Sequence, residues 1–132
     1  MMLLYGRDFL LQVRPQVIIP VPVHWRKLRT RGYNQAEVLA EIISSGLSIP
    51  IRTDLVLRKK FTVAQKKLNR KERKENLKRA FVVLPEAGRY ERILLVDDIY
   101  TTGSTVNAIA GKLKEQGAGQ IYVLTACIGG GD

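Results

Sequence analysis

The chain has 132 residues, 45% of them apolar, and carries 22 Lys+Arg against 12 Asp+Glu for a net charge of +10. That length and composition support one domain over residues 1–132 with a packed core, and exclude disorder along the whole chain. The single cysteine excludes an internal disulfide framework and a cysteine-built zinc site, and no apolar run is long enough to cross a bilayer, so a cytoplasmic protein is expected.

In chain order, the first residues carry Arg7 and Asp8 inside an apolar stretch and show no small-residue cleavage site, so no signal peptide is expected. Val17–Val21 is short, β-branched and flanked by Pro15 and Pro22, which predicts a buried strand. A basic loop closed by Gly32 follows. Asn34 has Glu37 three positions on, a capping arrangement, and Val38, Leu39, Ile42 and Ile43 share a face until Gly46, which predicts a helix of about three turns. Ile49–Leu57 reads as one or two strand pieces broken by Pro50 and Asp54. From Arg58 to Lys78 no apolar period is sustained. Within it Asn69–Leu77 has good helix formers but too few apolar positions to bury a face, which fits either a surface helix or a loop. Ala80–Leu84 predicts a short strand, Pro85–Glu91 a turn, and Arg92–Asp97 the clearest buried strand of the chain. Ser104 is placed to cap a helix whose Val106, Ile109, Ala110 and Leu113 follow i, i+3, i+4, i+7 spacing and which Gly117 ends. Ile121–Ile128 predicts the last strand. Two strand–helix–strand units imply an α/β fold, a parallel twisted sheet flanked by helices.

Charge is not spread evenly over this outline. Residues 52–79 hold twelve bases and three acids, a local charge of +9, so the rest of the chain is nearly neutral. Such a segment attracts phosphates.

The most informative string is ILLVDDIYTTGST, residues 93–105. A hydrophobic strand delivers Asp97 and Asp98 to the carboxyl edge of the sheet, where α/β proteins bind ligands. Behind them a turn of small hydroxylated residues runs into a helix N-terminus. Backbone N–H groups, the hydroxyls of Thr101, Thr102, Ser104 and Thr105, and the helix dipole all favour an anion there, and Gly103 removes a Cβ that would hold a phosphate away. Two carboxylates beside that cradle would repel a bare phosphate. They call for sugar hydroxyls or a bridging divalent cation, so a phosphate and a vicinal diol at fixed separation describe a ribose 5-phosphate. A nucleoside-triphosphatase reading fails, because no G-x-x-x-x-G-K-[ST] string exists in the chain.

At these residues the sequence resembles the type I phosphoribosyltransferases, whose motif is a hydrophobic strand, two acids and a T-T/S-G-x-T turn. More narrowly it resembles the ComF family of ComFC/GntX-like competence proteins, through IIPVPVHWRKLRTRGYNQAEVLA (18–40), QKKLNRKERKENLKRAF (65–81) and ILLVDDIYTTGSTVNA (93–108). The resemblance implies the type I phosphoribosyltransferase fold and, with it, a ligand and a set of roles. Asp97 and Asp98 would hold the ribose hydroxyls of phosphoribosyl pyrophosphate, and Thr101, Thr102, Gly103, Ser104 and Thr105 its 5′-phosphate. Val23, His24, Arg26 and Lys27 would lie on the pyrophosphate side. The basic segment, with Arg73 counted among the catalytic residues and Gln65 and Asn76 at matching positions, would close over the leaving pyrophosphate. Donors placed where the leaving group gains charge stabilise the transition state, and a closed loop keeps water from the sugar cation. Mg²⁺ would be held through ligand oxygens, with no metal site of the protein's own. These roles imply a glycosyltransferase acting toward an unidentified nitrogen acceptor. The family's N-terminal cysteine-rich zinc module is absent from this sequence, and an apolar face left where it would pack could drive association, as a homo-oligomer or with a competence-machinery partner.

A second function reading starts from the +9 segment. The ComF family is associated with natural transformation, which implies a single-stranded DNA-binding component of DNA uptake with Lys66, Lys67, Arg70 and Lys71 as contacts. Among the remaining residues, Trp25, Tyr33 and Phe61 could stack on bases but are expected to finish the core, and Cys127 is expected to be a small buried hydrophobe.

Overall fold

The three most apolar runs of the sequence become one parallel sheet in the computed structural model, which describes residues 12–22, 35–59, 69–100 and 104–128, by backbone alone at positions 73, 74, 77, 98–100, 104 and 126–128. Its strands are β1 (Val17–Pro20), β4 (Arg92–Tyr100) and β5 (Gln120–Ile128), in the order β1-β4-β5. Val17 stands against Ile93 and Pro20 against Val96, while β4 pairs with β5 from Arg92–Gln120 through to Tyr100–Ile128. Ile51 adds a parallel bridge to Ile18 on the far side of β1. Between these strands lie α1 (Gln35–Leu47), β2 (Val56–Arg58), α2 (Arg70–Ala80), β3 (Phe81–Val83), a 3₁₀ turn over Pro85–Arg89, and α3 (Ser104–Glu115). β2 and β3 form a separate antiparallel pair.

Side chains alternate across a strand, so a continuous apolar run feeds two cores. Val17, Ile19, Ile93 and Leu95 face Val106, Ile109 and Leu113 of α3, together with Leu55, Phe81, Val83 and Ala87. Ile18, Leu94, Val96 and Leu124 face Ala36, Leu39, Ala40 and Ile43 of α1. Ile109 and Leu113 are fully buried, each contributing about 1.5–3 kcal/mol by area removed from water.

α1 differs from its expected orientation. The sequence placed Val38, Leu39, Ile42 and Ile43 on the inner face, but Val38 and Ile42 are 44% and 54% exposed. Ala36 and Ala40 take their place. Small side chains let the helix axis approach the sheet closely, and that approach turns the larger pair outward. The helix also passes Gly46 to end at Leu47, before Ser48 with φ 56°.

α3 ends as expected. Gly117 takes φ 105°, its N–H donates to the Lys114 carbonyl and the Ala118 N–H to the Leu113 carbonyl. This pair of bonds is a Schellman motif, with Gly117 in the left-handed position that a Cβ would strain. Gly88 is needed for a different reason: a Cβ there would overlap the Gln116 carbonyl oxygen, so the 3₁₀ turn rests directly on the α3–β5 loop.

Candidate functional site

β4 is three residues longer than the Arg92–Asp97 predicted, because β5 offers partners as far as Ile128. β1 stops at Pro20, and the last bond on that side runs from the Val21 N–H to the Val96 carbonyl, 2.8 Å. Asp97 is therefore the first β4 residue beyond the end of β1, at the carboxyl edge of the sheet. It shares the face of Ile93 and Leu95 and is only 9% exposed, one of two polar residues buried among those described. α3 begins four positions after β4 ends, with Ser104 as its first helical residue rather than the cap, and Thr105 half-buried in its first turn. A buried carboxylate and the positive end of a helix dipole thus follow one strand in sequence. That combination suits a ligand carrying both hydroxyls and an anion.

The second feature is α2. Its apolar content is too low to bury a face, yet it forms because its start is capped reciprocally. The Asn69 side-chain oxygen accepts from the Glu72 N–H at 2.7 Å, and the Asn69 N–H donates to Glu72 Oε1 at 3.0 Å. Toward the protein it presents Asn76, 5% exposed, and Ala80. Arg70, Lys71, Lys78 and Arg79 are exposed. At 100° per residue, Arg70, Lys71 and Lys78 fall within one outward arc, while Glu72, Glu75 and Arg79 lie to one side of it.

Two half-buried arginines, Arg52 and Arg58, differ in their partners. Arg52 is saturated: it bonds Asp54 through Nε and Nη2 at 2.8 and 2.7 Å, Glu86 through Nη1 at 2.7 Å, and Tyr90 Oη at 3.3 Å. The pair holds the Asp54 carboxyl below its ordinary range and raises the guanidinium further. The cluster ties residues 52–54 to the 3₁₀ turn. Arg58, the last residue of β2, instead lies over the ring of its register partner Phe81, 5.1 Å from the centroid. Its Nε is buried without a hydrogen-bond partner, and burial pushes its pKa down.

Of the residues proposed from sequence, the structure brings Asp97 and Thr105 to the sheet edge and α3, and Arg70 and Lys71 to the first turn of α2. Asp98 continues β4, Ser104 opens α3 and Arg73 lies in α2, each by backbone position. Val23, His24, Arg26, Lys27, Lys66, Lys67, Thr101, Thr102 and Gly103 lie outside the described residues, as do Trp25, Tyr33, Phe61 and Gln65. Sequence reasoning passed over Arg58 and Arg52, since nothing in a basic run separates an arginine that is stacked or saturated from its neighbours. No helix is long and apolar enough to cross a membrane, and no three His, Cys, Asp or Glu side chains group as a metal site, among the described residues.

Comparison with known proteins agrees with this geometry. The profile of the phosphoribosyl transferase domain matches residues 33–131. Competence protein F of Haemophilus influenzae is 45% identical over 112 residues, which are 83% of this chain and 48% of that protein. DNA utilization protein YhgH of Escherichia coli K12 is 39% identical over 114 residues, 86% of this chain and 49% of that one. Competence protein ComFC of Bacillus subtilis is 29% identical over 103 residues, 76% and 39%. The chain thus spans about half the length, or less, of these curated relatives. Among solved structures, the allosteric regulatory enzyme of purine biosynthesis superposes with a TM-score of 0.56 at 19% identity over 84% of this chain and 22% of that one, a likeness of fold.

Proposed function

The chain belongs to the phosphoribosyl transferase domain family and is homologous to ComF-type competence proteins, and from that premise we propose that it is a single-stranded DNA-binding component of DNA uptake. The observation that carries this reading is the outer face of α2. Arg70, Lys71 and Lys78 stand exposed on a capped helix, so its outward side presents three bases together. Clustered bases of this kind bind phosphodiester backbones by releasing counterions, which gives affinity without sequence preference. Relatives named for competence and DNA utilization support the same assignment. The single cysteine in the chain and the DNA substrate are consistent with action in the cytoplasm. The test is retention of a labelled single-stranded oligonucleotide by the protein at 50 mM salt, with affinity falling steeply by 200 mM. No retention at low salt would sink the reading.

Asp97 favours a second, compatible reading: a phosphoribosyl pyrophosphate pocket at the carboxyl edge of the sheet. Asp97 is 9% exposed at the carboxyl edge of the sheet, where α/β proteins bind ligands, and sugar hydroxyls would donate to Asp97 and Asp98 there. Thr101–Thr105 and the start of α3 would take the 5′-phosphate, Val23, His24, Arg26 and Lys27 would face the pyrophosphate, and Arg73 would approach from α2. Asp97 is a hard oxygen donor and fits Mg²⁺ held mainly by ligand oxygens; the cation would neutralise the pyrophosphate as it leaves. Transfer of the sugar to an acceptor would make the protein a glycosyltransferase. Calorimetric titration with Mg²⁺ and phosphoribosyl pyrophosphate should give heat with the wild type and none with Asp97→Asn plus Asp98→Asn. Equal heats for both proteins exclude this pocket.

A further inference from the structure

We infer that Arg58 is a phosphodiester-recognition residue, its guanidinium edge receiving one backbone phosphate of single-stranded DNA at the point where the basic segment leaves β2. The inference rests on the DNA-binding reading above and names a contact which that reading, drawn from α2, does not include.

The two half-buried arginines of this region make the case by contrast. Arg52 has its donors occupied by two carboxylates and a phenol, so it is a structural tie. Arg58 makes no hydrogen bond and no ion pair with any described residue, and of its nitrogens Nε is both buried and without a partner. A half-buried cation without a counter-charge is disfavoured in a folded protein. Among the described acids, Asp54 and Glu86 are engaged by Arg52, and Glu72 caps α2. The ring of Phe81, itself 1% exposed, instead lies under the guanidinium and holds it in place. A guanidinium held over a ring, with no carboxylate paired to it among the described residues, matches a phosphate that accepts two parallel N–H bonds.

Placement favours a polynucleotide. Lys59 follows Arg58 and is exposed, with its N–H bonded to the Ala80 carbonyl at 2.8 Å, so Arg58 sits at the C-terminal end of α2. From there the exposed Lys78, Lys71 and Arg70 continue along the helix. A chain of phosphates can meet such a track in succession, whereas a single small anion can meet only one end of it.

The experiment is fluorescence anisotropy with labelled (dT)₂₀ over a salt series, using wild type, Arg58→Gln, Arg58→Lys and, as a control, Lys114→Gln in the last turn of α3. Inorganic pyrophosphate binding is measured in parallel by calorimetry. Arg58→Gln should weaken oligonucleotide binding roughly tenfold, the equivalent of one charge-assisted hydrogen bond. It should also lower the log–log salt slope by about 0.7. Arg58→Lys should keep the slope and still lose affinity, because charge remains and the fork does not. Circular dichroism checks folding, and if Arg58→Gln unfolds, Arg58→Lys and its slope carry the test. Wild-type affinity and slope in both variants, or the same loss in Lys114→Gln, would overturn the inference. A loss confined to pyrophosphate overturns the polynucleotide assignment, and no binding of (dT)₂₀ by the wild type overturns the DNA reading and this residue's role with it.

Discussion

Neutralising the outward arc of α2 should remove a calculable share of salt-sensitive DNA binding. Arg70→Gln, Lys71→Gln and Lys78→Gln together lower the net charge from +10 to +7 while keeping three good helix formers and leaving the Asn69–Glu72 cap intact. The three bases span nine helical residues, a rise of about 12 Å along the axis, within reach of successive phosphates on one strand. Each single-strand phosphate contact contributes about 0.7 to the log–log dependence of affinity on salt, so losing three should flatten the slope by about 2. Between 50 and 200 mM salt that difference amounts to roughly twentyfold in affinity. Anisotropy titrations with labelled (dT)₂₀ at four salt concentrations would measure it. A matched triple variant, Arg89→Gln with Lys112→Gln and Lys114→Gln, removes the same charge from the 3₁₀ turn and the end of α3. If both triple variants flatten the slope equally, net charge and not the face of α2 is responsible, and if neither does, the reasoning from helix geometry is wrong.

Other consequences concern stability. Gly88→Ala would drive a Cβ into the Gln116 carbonyl oxygen, and overpacking against backbone costs roughly 1–3 kcal/mol, enough to lower the melting temperature by about 5–10 °C; an unchanged melting curve would contradict the close approach. Asn69→Ala removes the α2 cap, worth about 1 kcal/mol, so the amides of Glu72 and of residues 74–76 should exchange roughly fivefold faster while those of α3 do not change. Asp54 has a folded pKa below its ordinary 3.8, so its contribution is complete above that pH and fades as pH falls through the lower, folded value. Melting temperature measured from pH 6 to pH 2 should drop more steeply below about pH 4 in wild type than in Asp54→Asn, and parallel curves would show that the Arg52 tie contributes nothing.

What could be read from sequence divides along physical lines. The runs that became β1 and β4 are buried on both faces through Val96, so hydropathy alone marks them, and the four apolar positions predicted for α3 include its three buried contacts, Val106, Ile109 and Leu113. α1 was legible as a helix but not in rotation, because Ala36 and Ala40 are weakly apolar and win their positions by size. β4 runs on through Asp98 to Tyr100 because β5 supplies partners, a tertiary cause that no local propensity encodes. α2 carried almost no hydrophobic signal, and its start is marked by one capping pair. At the site, Asp97 was visible as an acid at the end of a buried strand. Arg58 was not, for what distinguishes it is a ring on the other strand of the β2–β3 pair and a buried Nε without a hydrogen-bond partner.

α2 passes into β3 without a connecting residue, Ala80 being the last of the helix and Phe81 the first of the strand. The angular position of every base on the helix is therefore set by counting back from one peptide bond. Adding or deleting a single residue between Asn76 and Phe81 would turn Arg70 and Lys71 by about 100° while leaving composition nearly untouched. Along this stretch the chain is constrained in its length as tightly as a core is constrained in its volume, and variation among related sequences should appear there as substitution and not as insertion.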